Sequence, residues 1–261
     1  MLQGLSLKGS PLQRDRLIAT GALVTLAALA WVWLAIMAQE MPDPGAAALV
    51  AMHAAPWNLG YFLATFLMWV VMMVGMMVPS AMPAILLFTA LQRHKNPGAR
   101  RILPGTAWFT AGYLLAWTAF SLAATFAQWG LATVALLSPA MVGTSPIFGG
   151  ALFIAAGIYQ RTPMKAGCLR YCRSPAEFLV RHRHAGALGP LLTGLEHGLY
   201  CTGCCWALMA LLFTFGVMNL LWVAVISLFV LVEKLAPATT LSATISAVLM
   251  IATGVLLWIP G

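Results

Sequence analysis

Seven apolar runs constrain this chain more than any other feature in it; they fall near residues 17–37, 60–90, 106–128, 147–160, 190–217, 219–235 and 239–258. A membrane-crossing α-helix needs roughly 20 predominantly apolar residues. With 62% hydrophobic and only 8% charged residues in 261, the chain cannot clothe itself in the charged surface of a soluble domain, which carries about 25% charged residues. The expected fold is all-α: a polytopic transmembrane helical bundle of about seven spans.

The basic residues give that bundle an orientation. Lys8, Arg14 and Arg16 precede the first run; Arg93, Lys95, Arg100 and Arg101 follow the second; Arg161, Lys165, Arg170, Arg173, Arg181 and Arg183 separate the fourth from the fifth; Lys234 ends the sixth. All 14 Lys and Arg residues fall on one side of a seven-span arrangement, and the loops 38–58, 129–146 and 217–219 on the other side have none. The positive-inside rule then predicts a cytoplasmic N-terminus and a periplasmic C-terminus in a multi-pass protein of the bacterial inner membrane. The net charge of +8 is topogenic and requires no nucleic-acid partner.

The chain reads as a cytoplasmic segment over 1–16 followed by one transmembrane domain over 17–258. Its largest polar segment is a cytoplasmic loop at 161–188, with a short helix expected near 175–184. The first run is too long for a signal-peptide core and lacks a small-residue cleavage site, so it is expected to stay as an anchor. Pro79 and Pro83 interrupt the second run and predict a kink or an extension past the bilayer. The fifth and sixth runs touch at Val217–Asn219, read as a tight hairpin or as one broken helix.

Sulfur is concentrated at two places. In 201-CTGCCW-206 three of the chain's 5 cysteines lie within five residues. Residues three and four apart share a helix face, so His197, Cys201, Cys204 and Cys205 form one stripe, with Glu196 beside it. Thiolates prefer soft ions such as Cu(I) and also take Zn²⁺. Buried cysteines also serve as small packing residues, but ionisable groups within a span mark function by default. Gly203 is expected to let the helix open locally. In 68-MWVVMMVGMM-77, Met68, Met72 and Met76 repeat at i, i+4, and Met73 and Met77 repeat on the adjoining face. Such thioethers can conduct Cu(I) or fill a core.

Other positions are weaker candidates. Met37, Glu40, Met41, Met52 and His53 could collect an ion from outside. Cys168 and Cys172 face a reducing cytoplasm, which argues against a disulfide and leaves a transfer site open. His182 and His184 read as part of a solvated basic face, and Glu233 as a site carboxylate or half of a charge pair with Lys234.

The segment from Trp69 to Met77 with 79-PSAMP-83, then 196-EHGLYCTGCCW-206, 216-GVMN-219 and 233-EK-234, resembles a bacterial family of metal-binding integral membrane proteins, domain of unknown function 2182, described as copper-chaperone-like. The resemblance covers roughly residues 60–258. It implies a metal site at Cys201, Cys204, Cys205, His197 and Glu196, together with the methionines of the second run.

The leading expectation is a binding and transfer protein rather than an enzyme. Cys201, Cys204 and Cys205 would hold Cu(I), with zinc as the other candidate ion. His197 would be a further ligand and Glu196 a charge-balancing group orienting it. Met72, Met73, Met76 and Met77 would carry the ion onward. The expected partners are membrane lipid and a copper-dependent membrane protein or a copper-delivery protein. A thiol-disulfide oxidoreductase using Cys201 and Cys204, which have C-x-x-C spacing, and an accessory subunit without chemistry of its own are the alternatives.

Overall fold

The computed structural model describes residues 11–40, 57–95, 102–137, 145–235 and 240–259, and every regular element among them is an α-helix. In chain order these are α1 (Pro11–Glu40), α2 (Leu59–Lys95), α3 (Leu103–Thr133), α4 (Pro146–Gln160), α5 (Pro163–Arg173), α6 (Pro175–Arg181), α7 (Gly189–Ala210), α8 (Leu212–Phe215), α9 (Leu220–Leu235) and α10 (Thr240–Leu256). Four helical stretches are long and apolar enough to cross a membrane: Pro11–Gln39, Leu59–Lys95, Leu103–Thr133 and Gly189–Phe215. The remaining apolar runs fold as α4, α9 and α10, which have 15, 16 and 17 residues. At about 1.5 Å per residue they are shorter than the hydrocarbon layer.

Polarity is distributed as a lipid solvent demands. Leu17, Leu63, Leu115, Leu199, Leu228 and Val248 are exposed, whereas Asp15, Gln128, Gln160, Lys165, His197 and Lys234 are buried. A water-soluble monomer does not present apolar surface on this scale.

The core is built on the crossing of α3 and α7. A Cβ placed on Gly194 would lie 1.9 Å from the Phe109 carbonyl oxygen, and one on Gly112 would lie 2.0 Å from that of Leu191. Four residues on from Gly194, Gly198 faces Ala116. This small-xxx-small pattern lets two backbones touch where lipid offers no hydrophobic drive to association. The α2 helix packs against α3 through a hydrogen bond from Trp69 Nε1 to Gln128 Oε1 at 2.7 Å and through a Thr89–Thr106 hydroxyl pair at 3.0 Å.

The two prolines do not end α2, which runs unbroken for 37 residues. Pro79 has no N–H for the Gly75 carbonyl, and the indole of Trp31 on α1 donates to that oxygen instead, at 3.2 Å. The fifth and sixth runs resolve into a hairpin, turned at Gly216 in the left-handed region (φ 97°). The 161–188 loop holds more structure than expected. The anticipated short helix is α6, ending at Arg181, and α5 precedes it, with Thr162 capping its first turn through a bond from Lys165 N.

Gly194→Ala forces the α3–α7 backbones apart and is expected to lower stability by about 1–3 kcal/mol. Gly21→Ala, at a helical site with nothing within 4 Å, should leave stability unchanged or raise it by up to about 1 kcal/mol. Thermal unfolding of both variants in detergent checks this pair; equal midpoints would contradict the account of the crossing.

Candidate metal site

Because α3 and α7 touch, Tyr113 faces Cys201 across the crossing, with its hydroxyl 3.0 Å from Cys201 Sγ. The same hydroxyl donates to the Met77 carbonyl of α2 at 3.2 Å. From α9, Lys234 Nζ donates to Cys201 Sγ at 2.8 Å and to Ser80 Oγ at 2.9 Å. Ser80 in turn donates to the Met77 carbonyl at 2.9 Å. Four helices therefore meet at one thiol, and every member of this network is buried. Lys234 is thus not the interfacial loop charge that the sequence suggested. It points into the core, and no carboxylate pairs with it among the described residues. An ammonium buried without a carboxylate is costly unless another group answers its charge, and here the Cys201 sulfur is the nearest such group.

The other two thiols of the motif lie beside Cys201 on the same helix and within hydrogen-bonding reach of its sulfur. Cys204 and Cys205 donate back to the Cys201 carbonyl, at 3.0 and 3.1 Å, as side chains at i+3 and i+4 of an intact helix can. Gly203 does not open α7, which is continuous from Gly189 to Ala210. Instead Gly203 makes room for a neighbour: a Cβ there would lie 2.8 Å from Cys168 Sγ of α5, and the Tyr159 hydroxyl donates to the Gly203 carbonyl. Among the described residues, no three His, Cys, Asp or Glu side chains are placed to hold one ion as they stand. His197 is buried among Phe109, Tyr113 and Phe178, with ring centroids 6.1, 5.9 and 4.9 Å away, and its Nδ1 has no hydrogen-bond partner. A buried nitrogen without a partner is a donor still to be used.

Met68, Met72, Met73, Met76 and Met77 are all buried, none more than 1% exposed. At the Met77 end of the stripe it is the backbone carbonyl that joins the thiol site, through the Tyr113 and Ser80 hydroxyls. Met76 is tied to α9 by a bond from Ser227 Oγ to its carbonyl at 3.4 Å.

Glu196 does not orient His197. Its carboxylate lies 2.7 Å from His182 Nδ1 and 3.0 Å from His184 Nε2, so these two histidines clasp the start of α7 rather than forming a free basic face. Glu233 turns away from the thiols. It pairs with Lys165 at 2.8 Å, and its carbonyl accepts from Arg173 Nε at 2.8 Å. Met41, Met52 and His53, and the side chain of Glu40, lie outside the described residues.

The sequence did not identify Tyr113, Ser80 and Lys234 as site residues; the traces were 79-PSAMP-83, which holds Ser80, and the 233-EK-234 pair closing an apolar run. It also left Cys168 and Cys172 apart from the cluster, although Cys172 Sγ lies 3.8 Å from Cys204 Sγ. All five cysteines are free. Hydrogen bonding toward Cys201 and Cys204, with burial, raises the Cys172 thiol well above its ordinary range. Burial, with Cys204 nearby, raises that of Cys168.

The described residues define an all-helical protein with four helices long and apolar enough to cross a membrane, a buried cluster of thiols and a buried stripe of methionines. The model of the PpoB2 family, described as copper chaperone, matches residues 66–257, and the chain belongs to that family. The match speaks to the copper-chaperone part of the resemblance noted above, not to its family number. No curated protein and no solved structure matches the chain.

Tyr113→Phe removes the hydroxyl that joins α2, α3 and α7. It is expected to lower stability by about 0.5–1.5 kcal/mol and to speed alkylation of Cys201 by a small membrane-permeant reagent. An unchanged Cys201 rate, followed by mass spectrometry, would show that the hydroxyl does not hold the thiol.

Proposed function

We propose that this family member is a seven-span protein of the bacterial inner membrane, with its N-terminus cytoplasmic and its C-terminus periplasmic, that handles Cu(I) as cargo. Cys201, Cys204 and Cys205 receive the ion, His197 offers a nitrogen donor, and Met77, Met76, Met73 and Met72 carry it toward the outer face or to a copper-dependent membrane protein during assembly. The observation that carries this reading is the junction at Met77, where the backbone carbonyl at one end of a buried methionine stripe is joined to Cys201 through Tyr113, Ser80 and Lys234.

In this topology α7 enters the membrane from the cytoplasm and α2 returns toward it. Met77 therefore lies nearest the thiols, and Met68 lies about 14 Å further out at about 1.5 Å per residue. The Lys234 ammonium next to Cys201 opposes a second cation there, which favours exchange over permanent capture. Seven spans also put all the Lys and Arg residues at one end. Arg93 paired with Asp15, Lys165 paired with Glu233, and Arg161 bonded to Thr244 tie the helix ends together there. Zinc has no support from the family description, and a structural zinc site wants four ligands. Neither the oxidoreductase nor the accessory-subunit reading is favoured by that description.

Anaerobic purification in detergent followed by elemental analysis tests the reading. Copper should copurify with the wild type and be lost from the Cys201, Cys204, Cys205 triple serine variant. A Met72, Met76, Met77 triple leucine variant should fold, since such swaps conserve volume and each costs less than about 1.5 kcal/mol, and should load copper but fail to pass it on. Copper content indifferent to the three thiols would overturn the proposal.

A further inference from the structure

Cys172 and Cys204 lie on helices separated in the sequence by α6 and a loop, yet their sulfurs stand 3.8 Å apart. A disulfide would bring them to about 2.0 Å. Two sulfurs that each lie about 2.3 Å from a shared ion stand about 3.8 Å apart at a tetrahedral angle and about 4.0 Å at a trigonal one. We propose that Cys172 of α5 and Cys204 of α7 form the receiving site for Cu(I), a two-sulfur seat bridging two helices, through which the ion reaches Cys201. This rests on the copper reading above and names the residue that takes the ion from its donor.

Four features support the seat. First, the pair spans two elements: Cys204, while donating to the Cys201 carbonyl of its own helix, also faces Cys172 of α5. Second, the approach of α5 is built in. Gly203 has no Cβ to fend off Cys168, Tyr159 bonds to the Gly203 carbonyl, and Lys165 and Arg173 fasten the other side of α5 to Glu233. Third, burial is graded: Cys168 and Cys172 are partly exposed, whereas Cys201, Cys204 and Cys205 are buried. A donor approaching from the α5 side would meet that helix before the fully buried thiols of α7. Fourth, thiolate sulfurs suit Cu(I), and a 3.8 Å spacing, too short for a linear pair, leaves the ion a third position that Cys201, within hydrogen-bonding reach of Cys172, can fill.

The transfer is a ligand exchange without oxidation. Cu(I) held by two thiolates of a donor forms bonds to the Cys172 and Cys204 sulfurs as its two donor bonds break. The two thiol protons pass to the departing donor thiolates, so copper stays Cu(I) and charge is conserved.

The test uses the full chain in detergent under anaerobic conditions, titrated with Cu(I) against the chelator bicinchoninate. Cys172→Ser should weaken binding by roughly tenfold or more, at least what loss of a supporting group around a metal costs, while Cys168→Ser should weaken it less. In the unmutated chain, which does not depend on any variant folding, Cu(I) should protect Cys172 and Cys204 together from alkylation, read by peptide mass spectrometry. Wild-type affinity in Cys172→Ser, with Cys172 alkylated at the same rate with and without Cu(I), overturns this inference. If the Cys201, Cys204, Cys205 variant then still loses copper, the proposed function stands without it; if that variant also keeps copper, both fall.

Discussion

The backbone contact between α3 and α7 is the interaction on which the rest of the molecule depends. Gly194 and Gly198 lie on one side and Gly112 and Ala116 on the other, and they bring the helices so close that a single added methyl would meet a carbonyl oxygen. That approach sets the depth at which Tyr113 faces Cys201 and fixes His197 against the Phe109 and Tyr113 rings of α3, with Phe178 also beside it. Within a membrane such packing must carry much of the association, because lipid tails compete with side chains on equal terms. Small residues at the crossing and large polar ones just beside it are two parts of one design.

Around that contact the chain concentrates its buried polarity instead of spreading it. Lys234, Ser80, Tyr113, Cys201 and the Met77 carbonyl satisfy one another in an otherwise apolar interior. Isolated, each would be destabilising; connected, they join α2, α3, α7 and α9 at a single point. The same point is where the backbone at one end of the methionine stripe is joined to Cys201. In the proposed function, then, the site that handles the ion is also the joint that holds the bundle, and strain or loosening at one would be felt at the other.

Much of the fold was legible from local pattern. Each apolar run became a helix, and the Met68–Met77 and His197–Cys205 periodicities do place those side chains in the interior. What local pattern could not supply was the meeting of distant segments. Cys172 joined Cys204 only because a polar loop folded into α5 and lay against Gly203, and nothing in the spacing of either motif encodes that. Lys234 read as an interfacial charge because a lysine ending an apolar run is usually solvated; only the placement of Ser80 and Cys201 shows it turned inward. Glu196 sat beside His197 in sequence, but on a helix adjacent residues point in different directions, and its carboxylate found His182 and His184 instead. The prolines of α2 do not end the helix, which at 37 residues is longer than a bilayer requires, because Trp31, more than forty residues away, supplies the donor that Pro79 lacks.

The most direct measurement of the central claim is X-ray absorption at the copper edge on anaerobically loaded, purified protein. The account predicts the edge of Cu(I) and a first shell dominated by sulfur, with a nitrogen contribution only from His197. A Cu(II) edge, or a shell of oxygen and nitrogen alone, would contradict it.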